Sequence, residues 1–241
     1  MHACMPMRQL PAFCLFVRVV SCIHHTTFCV ITASRRTSYL TQVTDSLRDA
    51  MRMDGVGLIV ISTDNSTNPT QTGFVVLPHR RLAVCDTPDV EGLPSCKVRQ
   101  LTLDVTAGLS VCAQHTSGWV VLLEDDCVAC EGAVDETVSV LSGLSASDLS
   151  FARFSKGLRG IAFPARKIKQ FTDYAVSRLY TYPHDITKME DWDPPGRMHV
   201  HTRNLYHHIG VVSTDERKNT DEFRQMYAVY RDDMCFEKFI G

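Results

Sequence analysis

Glu124, Asp125 and Asp126 follow Val120-Val121-Leu122-Leu123 without a break. Four aliphatic residues after Trp119 read as a fully buried strand, so three carboxylates close its C-terminal end. Like charges this close raise one another's pKa unless a cation sits among them, so the triplet is either solvated or coordinating a metal. Hard oxygen donors suit Mg²⁺ or Mn²⁺, and a hard dication in turn suits a diphosphate. Ligands of open α/β sheets bind outside the carboxyl ends of the strands, where these oxygens would lie.

Other residues of chemical type are more scattered. Arg35 and Arg36 lie in a polar turn after an apolar run; they are either phosphate ligands or a solvated pair. Asp64 ends another apolar run and reads as turn chemistry more readily than as a ribose contact. His199 and His201 form His-x-His, which on a strand puts both imidazoles on one face; metals use that geometry, but exposed strand histidines are commoner. Ten cysteines are dispersed along the chain, which argues against a structural zinc site and leaves disulfides or buried thiols. Cys127 and Cys130 make a C-x-x-C, a weak redox or metal signal without a second ligand pair. Asn65-Ser66-Thr67 is a glycan acceptor sequon in a turn-like run.

The elements that must position these groups alternate. Residues 28–33 read as a first buried strand and Val56 to Ser62 as a second. Between them Thr37 or Ser38 caps a helix running through Asp49 or beyond, with Tyr39, Leu40, Val43 and Leu47 on one face. Residues 74–77 and 82–85 are short extended candidates in a mostly irregular stretch. From Cys96 to Gln114, Val98, Leu101, Val105, Leu109 and Cys112 fit one helical face, while Leu101, Leu103 and Val105 also alternate at strand period. Helices are expected over 133–144 and 167–180, short strands over 150–154 and 160–164, and a charged helix over 221–241. Strands alternating with helices predict an α/β fold with a mainly parallel sheet flanked by helices in a single domain, the strand ends at Ala33, Ser62 and Glu124 sharing one rim.

At 241 residues, 44% hydrophobic and 22% charged, the chain has the composition of one globular domain. A formal net charge of −2 with no long basic run gives no attraction to nucleic acid. Residues 1–26 are expected to be irregular, or an anchor or signal remnant, because Pro11 and Arg18 interrupt the apolar stretch.

Four stretches, in this order, resemble the N-acetylglucosaminyltransferase IV family and the related N-acetylgalactosaminyltransferase that modifies GPI anchors. They are Ser38-Tyr39-Leu40 with Ser46-Leu47, the run Gln100 to Asp104, the strand ending Leu123-Glu124-Asp125-Asp126, and Leu205-Tyr206-His207-His208-Ile209-Gly210 followed by Ser213-Thr214. The resemblance covers about residues 27–223, so residues 27–241 would form the GT-A-like glycosyltransferase domain. Two departures bear on the choice between the two: no membrane hairpin is expected after the triplet and no accessory domain after residue 223. The first subfamily fits better on that account, and the acceptor stays open.

The resemblance implies a GT-A, Rossmann-like fold, a UDP-sugar donor, Mn²⁺ (or Mg²⁺), a glycan acceptor and a Golgi lumen location, with membrane attachment through a missing or N-terminal segment. It implies Asp126 as a metal ligand together with Glu124, with Glu124 or Asp125 contacting the nucleotide or a metal-bound water. Asp104, Arg35 and Arg36 fall to the donor side, and His208 and Gly210 lie close to the diphosphate. Asp185 and Asp221 are the candidates for the catalytic base that takes the acceptor proton; each is equally readable as a surface carboxylate. Two other classes share parts of the pattern. One is a non-catalytic or degenerate GT-A-like sugar-binding domain. The other is a Mg²⁺-dependent phosphohydrolase, which needs an aspartate nucleophile near the first strand, where this chain has Ser34 and arginines.

Overall fold

A strand buried on both faces needs an apolar run, and β1, His24–Thr32, carries one from Phe28 to Ile31 and is buried from Thr26 onward. The computed structural model describes residues 24–32, 38–63, 74–76, 95–155, 160–179 and 197–210. Arg35, Arg36, Asp64, the sequon at Asn65, residues 82–85, Asp185 and the 221–241 segment with Asp221 lie outside the described residues. β1 begins at His24, so residues 24–26 belong to the sheet rather than to the irregular N-terminal stretch.

β2 (Val56–Ser62) and β4 (Thr116–Glu124) flank β1, both parallel to it, and β3 (Phe74–Val76) extends the sheet beyond β2. On the other side β7 (Ile161–Pro164) joins β4 antiparallel, followed by β6 (Phe151–Arg153) and β8 (Met198–Val200). The seven-stranded order is β3-β2-β1-β4-β7-β6-β8, mixed and mostly parallel. A separate pair joins β5 (Cys127–Ala129) to β9 (Tyr206–His208).

Alternation along the strands feeds two cores. Phe28, Val30, Val60, Trp119, Val121 and Leu123 face one side, where α1 (Leu40–Ser46), the 3₁₀ turn Arg48–Arg52 and α3 (Ala133–Gly143) pack. Cys29, Ile31, Ile59, Ile61, Val120, Leu122 and Phe163 face the other, under α2 (Cys96–Ala113) and α4 (Ala165–Ser177). Covering both faces is what lets strands this apolar exist. A disulfide from Cys29 to Cys112 ties β1 to α2 across the second core. Cys96 and Cys130 are also disulfide-bonded, whereas Cys127 is buried and outside any disulfide, so the C-x-x-C at 127–130 is not a bonded pair.

Several expectations are corrected. The stretch 96–114 is helical and the strand alternative for 101–105 fails; Ser95 starts the helix by accepting from Val98 N–H at 3.4 Å. Leu101 is 37% exposed because α2 packs on both the sheet and α4, so the buried arc spreads to Arg99, Thr102 and Thr106 and leaves Leu101 at its margin. Gly108 is no breaker. A Cβ there would meet Ile31 Cδ1 at 2.9 Å, so the glycine lets the helix approach β1. The first helix ends at Ser46, and Tyr39, not Thr37 or Ser38, occupies its cap, without a side-chain bond. Among the described residues no helix is long and apolar enough to cross a membrane.

Candidate metal and donor site at the carboxyl rim of the sheet

The parallel registers end together. Thr32 pairs with Ser62 and Ile31 with Glu124, so the carboxyl ends of β1, β2 and β4 share one rim as expected. The chain leaves β1 for β2 on one side and, through α2, reaches β4 on the other; this is the switch point at which such sheets open a crevice for ligands. The acidic triplet stands beside it.

Glu124 is the last residue of β4, and the chain turns at Asp125 and Asp126 into β5. The antiparallel β5–β9 ladder opposes Cys127 with His208, which brings the imidazole beside the turn. Ile209 N–H donates to Asp126 O at 2.8 Å and locks the two segments together. One ligand atom each from Glu124, Asp126 and His208 lies within 4.8 Å of the other two, and His208 Nε2 is 3.2 Å from Asp126 Oδ2. Asp126 is buried, while Glu124 and His208 are partly open, so the group has a dry floor and an accessible mouth.

Gly210 closes the cluster from behind. A Cβ at that position would stand 2.9 Å from Asp126 Cγ and 3.0 Å from His208 Cε1, so only glycine allows the backbone this near. Asp125 points elsewhere: it is 3% exposed, and its Oδ2 accepts from the Thr32 hydroxyl at 2.7 Å across the β1/β4 junction. Asp104 sits in the middle of α2, accepts from Gln100 Nε2 at 2.8 Å, and is outside the converging group.

The segment that carries His208 is held by groups with no chemical signature in the sequence. Buried Ser155 Oγ accepts from Leu205 N (3.0 Å) and Tyr206 N (2.8 Å). The Tyr206 hydroxyl bonds Thr137 Oγ1 at 2.7 Å, and its ring lies against the Cα of Gly160, whose φ of +65° also favours glycine. Burial raises the Tyr206 pKa far above its ordinary value, against the pull of the Thr137 bond, so the phenol stays neutral. Cys130 N–H donates to Leu205 O at 2.9 Å.

His199 and His201 share a face, as His-x-His on a strand requires, and both rings approach Phe154. Among the described residues only Glu124, Asp126 and His208 form a group that could hold a metal ion. His201 is buried rather than exposed; its Nε2 is 3.0 Å from Glu136 Oε1, to which Arg203 also bonds at 2.6 Å. Burial, then the neighbouring His201, lowers the His199 pKa.

No protein-family model matches this chain, and no curated protein matches it. Solved structures do. A glycosyltransferase involved in the glycosylation of the major capsid of PBCV-1 superposes with a TM-score of 0.50 at 13% identity, covering 84% of this chain and 99% of that one. The galactosyltransferase LgtC, solved with donor and acceptor sugar analogs, gives a TM-score of 0.45 at 11% identity over 73% of each chain. At such identity the likeness is one of fold: the chain is a GT-A-type α/β domain.

Proposed function

We propose that the protein is a metal-dependent glycosyltransferase that moves an N-acetylhexosamine, GlcNAc or GalNAc, from a UDP-sugar to a glycan acceptor such as an N-glycan or a GPI-anchor glycan. The observation that carries the reading is the convergence of Glu124, Asp126 and His208 on the carboxyl rim of β4, beside the β1/β4 switch point. The GT-A fold supports it, as does the resemblance of Glu124-Asp125-Asp126 and His208-Ile209-Gly210 to the N-acetylglucosaminyltransferase IV family.

The residues fit a divalent cation. Two adjacent ligands of an octahedral ion held at about 2.1 Å stand about 3 Å apart, and His208 Nε2 to Asp126 Oδ2 is 3.2 Å. Two carboxylates with one imidazole suit Mn²⁺ better than Mg²⁺, which takes almost only oxygen. Asp126, Glu124 and His208 would hold the ion, and its charge would offset the charge growing on the departing UDP. His208 must present a bare Nε2 for this, so its proton belongs on Nδ1. Gly210 leaves room for the Asp126 carboxylate to keep its place.

Arg35 and Arg36, separated from β1 only by Ala33 and Ser34 in sequence, are assigned to the donor phosphates, with Asp104 on the nucleotide side. The acceptor proton is assigned to Asp185 or Asp221. Disulfides at Cys29, Cys112, Cys96 and Cys130 favour an oxidising compartment, and with the family resemblance we assign the Golgi lumen, with membrane attachment through a missing or N-terminal segment. The test is UDP release from UDP-GlcNAc and UDP-GalNAc with Mn²⁺, in wild type and Asp126→Ala. Release that depends on both the metal and Asp126 supports the reading; no release, or release indifferent to the substitution, favours a non-catalytic domain.

A further inference from the structure

We propose that Asp125 is a positioning residue: through its bond to Thr32 it fixes the turn so that Glu124 and Asp126 meet His208. This rests on the metal-dependent reading and adds a division of labour within the triplet. Ile31 and Glu124 are the last partners in the β1/β4 ladder, so Thr32 and Asp125 are the next pair along the same register. Val30 and Leu123, one step back on that face, are fully buried, and Asp125 continues the face at 3% exposure. A carboxylate in such a place is tolerable only if bonded, and the Thr32 hydroxyl bonds it at 2.7 Å.

The consequence is geometric. Alternation sends the side chain at 125 away from the one at 124, and the atoms that converge come from Glu124, Asp126 and His208, leaving Asp125 out. Pinning 125 to β1 fixes the backbone on both sides of it. The same turn is held once more from the far side, where Ile209 N–H bonds Asp126 O. Thr32 thus acts on the metal ligands through Asp125 without touching them.

Titration calorimetry of the full chain with MnCl₂ tests this, using wild type, Thr32→Val, Thr32→Ser, Asp125→Ala and Asp126→Ala. Thr32→Val keeps the shape and removes the donor; it should weaken Mn²⁺ binding roughly 10-fold, as loss of a group orienting a ligand does, and Asp125→Ala, which removes the acceptor, at least as much. Thr32→Ser restores the hydroxyl and should bind like wild type. Melting curves without metal show whether each variant is folded, and Asp125→Ala decides the matter should Thr32→Val not fold. If wild type binds Mn²⁺ and both Thr32→Val and Asp125→Ala bind it equally well, the positioning role is wrong while the metal reading stands. If wild type itself binds no Mn²⁺, the metal reading fails and takes this role with it.

Discussion

A single methyl group added to Gly210 would sit 2.9 Å from Asp126 Cγ and 3.0 Å from His208 Cε1. The third atom of contact in that corner is a carboxylate oxygen, so there is nowhere for the group to go without moving one of the proposed ligands. Gly210→Ala should therefore weaken Mn²⁺ binding by roughly 10-fold or more. Its metal-free melting point should move little, because the corner lies at the rim and not in either core. Calorimetry beside a melting curve checks both halves.

Binding to the folded state alone stabilises it. At Mn²⁺ a hundredfold above its dissociation constant the gain is about 2.7 kcal/mol. Wild type should show a metal-dependent rise in melting temperature, while Asp126→Ala and His208→Phe should not. A rise that survives both substitutions would place the cation elsewhere.

Ser155→Ala removes the acceptor that stands 2.8 Å from Tyr206 N. Leaving a buried donor unmet costs about 1–3 kcal/mol. Chemical denaturation should register a loss in that range. Because the same oxygen holds the segment leading to His208, Mn²⁺ affinity should drop as well.

Cleavage of the Cys29–Cys112 bridge, by Cys29→Ala with Cys112→Ala, should cost roughly 2–4 kcal/mol. Both positions are fully buried, so a pair of alanines also leaves space in the second core. Denaturant titration measures the loss, and an unchanged midpoint would mean the bond is not formed.

Acidification should destabilise the fold. His199, His24 and His115 all have lowered pKa values, each first through burial, with His201 adding to the effect on His199 and His115 to that on His24. Below the ordinary histidine value of 6.5 the unfolded chain takes up protons that the folded one resists, so stability is full above that pH and declines as pH falls beneath it. Melting temperatures from about pH 7.5 to about 5.5 should decline, and His199→Gln should flatten the slope.

What the sequence made legible follows from how local each signal is. Val56–Ser62 emerges as a strand to the residue because seven consecutive positions carry the pattern. Glu124 and Asp126 could be singled out since they stand together at the end of an apolar run. His208 was legible only as a neighbour of the diphosphate; its place beside Glu124 and Asp126 depends on the β5–β9 ladder, whose three-residue strands are too short to carry a pattern. Thr32 and Gly160 gave no signal at all, because a hydroxyl or a missing Cβ acquires meaning only from what packs against it. Leu101 misled for a similar reason: a helix with two neighbours buries a wider arc than its aliphatic stripe marks.

Glu124 and Asp126 enter the chain well before His208, with α3, β6, β7, α4 and β8 intervening. No nascent fragment that stops short of β9 has the complete set of donors, however well its sheet has formed. On the proposed reading, cation capture is thus a late event in the life of the polypeptide, and uptake of the ion would report that the end of β4 and the β5–β9 ladder have come together.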